Sequence, residues 1–245
     1  MARPVAAPGG TRARILRSAG RLFAEHGYHG ASIDELGAAA GISGPGLYKH
    51  FPNKEALLGE LLVGCSERLL AGGRARLVEA SDDADALARL IDFHLAFALG
   101  EPELIVVQDR DWGRLAEADR RAVRRLQRAY VQLWASTLRR LRPGLDGEQA
   151  RACVQAVFGL LNSTPHSVGD LPAGRMRPLL RALALAALLD GGRAVTADPA
   201  ISPQPALGAA GATSSPAPHT PVRDGGCLWP VKNVPTPPDA QQKGR

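Results

Sequence analysis

The stretch that decides the fold runs from residue 32 to residue 58: Ser32-Ile33-Asp34-Glu35-Leu36-Gly37-Ala38-Ala39-Ala40-Gly41-Ile42-Ser43-Gly44-Pro45-Gly46-Leu47-Tyr48-Lys49-His50-Phe51-Pro52-Asn53-Lys54-Glu55-Ala56-Leu57-Leu58. Ser32 with Glu35 three residues on is a capping box, and it predicts a short helix reaching about Ala40. Gly41 supplies the turn. Ser43 then caps a second short helix that carries Leu47, Tyr48 and Phe51, and Pro52 ends it. Asn53 opens a longer helix through Leu57, Leu58, Leu61 and Leu62. Two short helices, a small turn residue and a shared apolar face (Ile33, Leu36, Ala40, Ile42, Leu47, Phe51) are the requirements of a helix-turn-helix. Its second helix would present Gly44, Pro45, Gly46 and Lys49 to a major groove. Lys49 is the candidate guanine contact, and Pro45 suits a thymine methyl. Gly44 and Gly46 offer no side chain to a base edge and weaken the helix that carries them.

Working outward, residues 1–10 hold two prolines and two glycines and read as a flexible arm. A supporting helix begins at Thr11, with Ile15, Leu16, Ala19, Leu22 and Phe23 on one stripe, and Gly27 is placed to stop it. Beyond Gly72-Gly73 the spacing predicts helices near 83–99, 102–111, 116–141, 146–164 and 173–190. Gly100, Pro102, Pro143-Gly144 and residues 165–172 separate them. No run alternates with period two for long enough to predict a strand. The expected fold class is all-α, an N-terminal three-helix helix-turn-helix domain (11–62) joined to a C-terminal helical ligand-binding and dimerisation bundle (63–194). Residues 195–245 carry ten of the chain's 19 prolines, among Ala, Gly, Ser and Thr. They are expected to be a disordered tail, because so few bulky apolar residues cannot offset the entropy of ordering. Leu228, Trp229 and Val231 read as a docking motif or, preferably, as part of an unselected extension.

Composition bounds the function. A hydrophobic content of 45% with only 4% aromatics implies a core of Leu, Ala and Val, residues that favour helices. A formal charge of +6 suits a polyanion. The three cysteines (Cys65, Cys153 and Cys227) are far apart and form no metal-ligand spacing, so no metal and no cofactor is expected. No signal-peptide pattern opens the chain, and the Ala182–Leu189 run is too short to span a bilayer. A cytoplasmic protein without membrane contact is the expectation.

The order and spacing of Leu22-Phe23-Ala24-Glu25-His26-Gly27-Tyr28, Ser32-Ile33-Asp34-Glu35-Leu36, Ala40-Gly41-Ile42-Ser43 and Leu47 through Leu58 resemble the DNA-binding domain of the TetR/AcrR family. The resemblance implies a homodimeric, all-helical repressor of bacterial transcription that binds double-stranded operator DNA. It also implies that a small-molecule effector lodges among the C-terminal helices and releases the protein. Carried over residue by residue, it implies phosphate contacts from Tyr48, His50, Lys54, Ser32 and Ser43, and backbone or minor-groove contacts from Arg12 and Arg14, with Arg3 on the arm. Phe51 is expected in the core instead, and His50 divides evenly between phosphate contact and packing. The Phe158–Ser167 string is similar to an actinobacterial subgroup linked to acyl-CoA or fatty-acid catabolism, which would make the effector acyl-CoA-like or fatty-acid-like.

In the C-terminal half, polar residues inside apolar helices are the effector-site candidates: His94 and Phe97, Asp109 and Arg110, Trp112, Trp134, Asn162 and His166. An arginine in a buried site would favour an acidic ligand. The competing reading makes His94, Asn162 and His166 satisfied core residues and Asp109 with Arg110 a structural ion pair. The arginines at 120, 121, 124, 125 and 128 read as a solvated face more readily than as a second nucleic-acid site. Val154, Val157, Phe158, Leu160 and Leu161, with Met176, Leu179, Leu180, Leu183 and Leu188, exceed what a monomer needs. The last two helices are therefore expected to pair with their copies in a homodimer. An enzyme using His94, Asp109 and His166 is disfavoured, since no nucleophile elbow, P-loop or dinucleotide fingerprint is present. So is a DNA-binding protein with an inert C-terminal half.

Overall fold

A computed structural model describes residues 10–167 and 171–189. Helix α1 spans Thr11–Gly30, α2 Ile33–Ala39, α3 Gly44–Leu47, α4 Lys54–Val78, α5 Asp83–Gly100, α6 Pro102–Asp111, α7 Glu117–Leu141, α8 Gly147–Leu161, α9 Thr164–Ser167 and α10 Ala173–Leu189, with a 3₁₀ turn Trp112–Arg114 between α6 and α7. Among the described residues there is no strand. The expected arm, apart from Gly10, and the expected tail lie outside the described residues.

The local signals do what their chemistry requires. Ser32 accepts from the Glu35 N–H (3.2 Å) while the Glu35 carboxylate takes the Ser32 N–H (2.8 Å). Ser43 accepts from the Gly46 N–H (3.1 Å), and Asn53 from the Ala56 N–H (2.7 Å). Gly41 turns between α2 and α3 at φ 71°, a conformation that costs other residues energy. Gly27, at φ 76°, breaks α1 as expected, but one more turn follows as far as Gly30.

Two features go beyond or differ from the sequence reading. First, α4 is one helix of 25 residues, continuous through Gly72-Gly73 and running from the DNA-binding head into the C-terminal bundle. A Cβ on Gly72 would collide with the Phe93 ring, and one on Gly73 would lie 2.7 Å from the Tyr130 ring. The glycines admit α5 and α7 close to α4. Second, the helix expected over 146–164 ends at Leu161, and α9 restarts as a single turn at Thr164.

One apolar core is shared by head and bundle. Ile15, Phe23, Leu36, Leu47, Phe51, Leu57 and Leu58 fill the head; Leu87, Leu90, Ile91, Val123, Trp134, Leu138, Val154 and Phe158 fill the bundle. Helix α6 lies along α1, and α10 packs on α5 and α8. Among the described residues no helix is long and apolar enough to cross a membrane.

Candidate DNA-binding head and effector cavity

Helix α3 is a single turn, and its exposed surface is narrower than the sequence predicts. Pro45, Tyr48 and Lys49 are exposed, Tyr48 by 52%. Gly46 and His50 are half-buried. Gly44, expected on the reading face, is buried: a Cβ there would strike the Asp34 carboxylate. It is a close approach between α2 and α3, not a groove-facing position. Ser43 and Ser32 are both exposed at helix starts, but the Ser32 hydroxyl donates to Glu35 (2.8 Å).

The expected backbone-contacting cations are partly engaged within the head. The Arg12 guanidinium forms an ion pair with Glu60, donates to the His50 carbonyl (2.6 Å) and lies 4.3 Å from the Phe51 ring centroid. It ties α1 to the end of the recognition segment. Lys54 donates to the Ala31 carbonyl (2.9 Å) and covers the Tyr28 ring at 4.7 Å. Arg14 reaches Thr11 Oγ1 (3.3 Å) and, at 3.4 Å, the Ala40 carbonyl.

In the bundle, seven of the eight expected effector residues separate into three groups, and His166 lies exposed outside them. A cavity of about 10 Å³ is lined by Leu69 of α4, Phe97 of α5, Leu104, Ile105, Gln108 and Asp109 of α6, and Asn162 at the end of α8; that is on the order of one water's room. The sequence marks Phe97, Asp109 and Asn162 for this site but does not mark Leu69, Leu104 or Ile105. Burial pushes the Asp109 carboxyl up to about 6, with the exposed His166 of α9 acting in the opposite sense.

His94 and Trp134 form a second group, behind the cavity. His94 is fully buried, stacked on Phe158 at 4.8 Å, with Tyr130 and Trp134 at 5.9 and 6.0 Å. Burial lowers its pKa to about 4. The neutral ring donates from Nε2 to Asn162 Oδ1 (3.0 Å), and the Tyr130 hydroxyl donates to Nδ1 at 3.4 Å. His94 therefore does not line the cavity; it orients Asn162, which does.

Arg110 and Trp112 form the third group and leave the cavity altogether. The Arg110 guanidinium donates to the carbonyls of Phe23 and Ala24, the latter at 3.2 Å. It pairs with Asp111 at 3.4 Å and not with Asp109. Buried Asp111 also accepts the Tyr28 N–H (3.3 Å). The end of α6 thus clasps α1 of the head, where Gly27 leaves room beside Arg110. Trp112 lies in the 3₁₀ turn, with Arg124 at 5.9 Å from its ring.

Comparison with known proteins agrees with this architecture. Residues 15–61 match "Bacterial regulatory proteins, tetR family", and residues 80–166 match "Tetracyclin repressor-like, C-terminal domain". Together these cover just over half of the chain. The chain belongs to the TetR family. It is similar to the HTH-type transcriptional regulator CymR of Pseudomonas putida, 28% identical over 60% of this chain and 74% of that one. Matches to the transcriptional activator FasR of Mycolicibacterium smegmatis (33% identical over 35% of this chain) and the regulator UidR of Escherichia coli (35% over 39%) span less than half of those relatives' lengths, 39% and 48%. Among solved structures, the TetR-family regulator PfmR from Thermus thermophilus superposes with a TM-score of 0.64 at 27% identity, over 74% of this chain and 96% of that one. FadR from Bacillus subtilis, in complex with stearoyl-CoA, shares the fold, with a TM-score of 0.57 at 19% identity over 71% and 98%. The relatives are transcriptional regulators, and this TetR-family chain is a helix-turn-helix DNA-binding regulator.

Proposed function

We propose that this regulator is a non-enzymatic homodimeric repressor, held on its operator in the closed form seen here and released when a small, largely apolar effector opens the cavity. The observation that carries this is helix α6. Its Leu104, Ile105, Gln108 and Asp109 line the cavity, and its next two residues clasp α1 of the head. One ten-residue helix is therefore in contact with both sites. A cavity that holds a single water admits nothing larger unless its walls part. Any molecule that binds there favours a state in which α6 has moved, and its differential affinity for that state sets how far the equilibrium shifts. Displaced heads no longer match successive major grooves about 34 Å apart.

On the DNA side, the reading assigns base contact to Lys49 and Pro45 and phosphate contact to Tyr48 and Ser43. Dipolar attraction from the helix starts near Ser32 and Lys54 adds to phosphate binding. Arg12 and His50 brace the segment, and Arg14 flanks it. For dimerisation, the reading uses the face left open on α8 and α10: Ala152 and Ala156 are exposed on α8, and Leu179, Ala182, Leu183, Ala186 and Leu189 on α10. Small residues let helices approach, and the exposed leucines supply apolar area for a four-helix interface.

A fatty-acyl effector of the kind held by the Bacillus relative would find apolar walls at Leu69, Phe97, Leu104 and Ile105. The cation that would meet its acidic end, Arg110, faces α1 instead.

The test is a screen of small apolar molecules by thermal shift, followed by fluorescence anisotropy on a duplex that the protein selects from a random pool. Molecules that raise Tm are expected to weaken DNA binding in proportion. Cavity ligands that stabilise the protein yet leave DNA affinity unchanged would refute the mechanism.

A further inference from the structure

The chemistry of the cavity wall narrows the effector class, on the reading that this cavity is the effector site. Its polar groups are one carboxylate and two amides, from Asp109, Gln108 and Asn162. Among the described residues neither lysine nor arginine lines it. The arginines adjacent in sequence to lining residues are held elsewhere: Arg68 pairs with Glu101 at 2.7 Å, and Arg110 with α1 and Asp111. His166, exposed on α9, is the basic group whose field acts on Asp109. Asp109 is thus a partly desolvated acid facing a space walled by four apolar side chains and two amides, with no fixed cation in the wall among the described residues.

We infer that the cavity takes an apolar molecule ending in a protonated amine, with Asp109 receiving the ammonium group and Leu69, Phe97, Leu104 and Ile105 receiving the hydrocarbon. A carboxylate or phosphate head in the same place would sit against a like charge with no arginine to offset it, which is costly where solvation is reduced. An ammonium supplies the missing counter-charge and donates charge-assisted hydrogen bonds to the carboxylate. The Asn162 amide is fixed by His94, so its orientation is set before the ligand arrives. Gln108, one residue along α6, offers a second amide. The burial that raises the Asp109 pKa also makes the site responsive: a cation that enters restores the charged form.

The experiment compares octylamine, octanol and octanoate, three probes of one chain length that differ in the head group. Each is titrated into the full chain, with binding read by tryptophan fluorescence and release by anisotropy on the selected duplex. Octylamine is expected to bind and release about ten- to hundredfold more effectively than octanoate, with octanol between. Asp109→Asn is expected to remove most of the octylamine advantage over octanol and octanoate, read in the same titrations. Should that variant not fold, the three-probe comparison on the unaltered protein decides alone. Octanoate binding as well as octylamine, or equal binding by all three, overturns the amine assignment and leaves the effector-released mechanism standing. No binding by any probe also overturns it. Binding by octylamine without change in DNA affinity upholds the amine site but refutes the release mechanism on which its regulatory role rests.

Discussion

At the residue scale, the head and the cavity are governed by a few side chains whose roles separate by measurement. Tyr48 protrudes and Lys49 is exposed, so their loss should affect DNA and not folding. Tyr48→Phe is expected to weaken operator binding by about three- to tenfold with Tm unchanged, as one phosphate hydrogen bond warrants. Lys49→Ala should relax discrimination at one operator position, read by competition among single-base variants of the duplex. Gly44→Ala belongs to a different class. Its new methyl group meets the Asp34 carboxylate, and a fall in Tm should accompany any loss of binding. Buried titratable groups give a pH signature. His94 titrates near 4 in the folded chain and near 6.5 when unfolded. The unfolded chain therefore binds more protons in that window, and stability falls as pH drops through it, by on the order of 2 kcal/mol between pH 7 and 5. Asp109, raised to about 6, acts in the opposite direction, because acidification neutralises a carboxyl that burial disfavours as a charge. Asp109→Asn should consequently steepen the loss of stability between pH 7 and 5 in denaturant titrations.

These residues also show what a sequence discloses. Ser32, Ser43 and Asn53 act on N–H groups three residues away, so their role is written locally and was legible. Gly44 answers to Asp34, on the other helix of the pair, and no local rule reveals that contact. Asp109 and Arg110 are neighbours in the chain, but successive residues of a helix diverge by about 100°. One enters the cavity and the other grips α1, and the sequence alone does not give the rotation of α6 that decides which.

At the scale of elements, α6 and α4 carry the coupling. The order of helices and most of their ends follow from capping residues and apolar stripes. What the stripes could not show is continuity through Gly72-Gly73, because glycine pairs more often punctuate a helix than serve as a docking notch for Phe93 and Tyr130. Gly72→Ala is expected to destabilise the protein by about 1–3 kcal/mol, the range for overpacking, in urea unfolding. The clasp at the end of α6 is tested by Arg110→Met. Removing the guanidinium should lower stability only modestly, since it is part-exposed, and should leave operator affinity within about threefold. Effector-driven release should fall at least tenfold, because the moving helix no longer pulls on Phe23 and Ala24. Unchanged release in that variant would place the transmission elsewhere, with the packing of Asp119 against Gly59 between α7 and α4 the next contact to alter.

At the scale of the molecule, the proposal requires two heads held at one spacing. Much of the apolar content of α8 and α10 is already used inside the chain, where Val154, Val157, Phe158, Leu161, Met176, Leu180 and Leu188 are buried. What remains for a partner is the ridge of Leu179, Leu183 and Leu189 beside exposed alanines. Leu183→Glu should convert a dimer into a monomer by sedimentation and weaken operator binding more than a hundredfold, since a single head engages one half-site. The most direct test of the whole account is the affinity of the full chain for its selected duplex, set against a scrambled duplex of equal length and salt. The account predicts a preference of at least a thousandfold, lost in a Tyr48→Ala, Lys49→Ala double variant that remains folded. Equal affinity for the two duplexes, or a preference that survives the double variant, would contradict it.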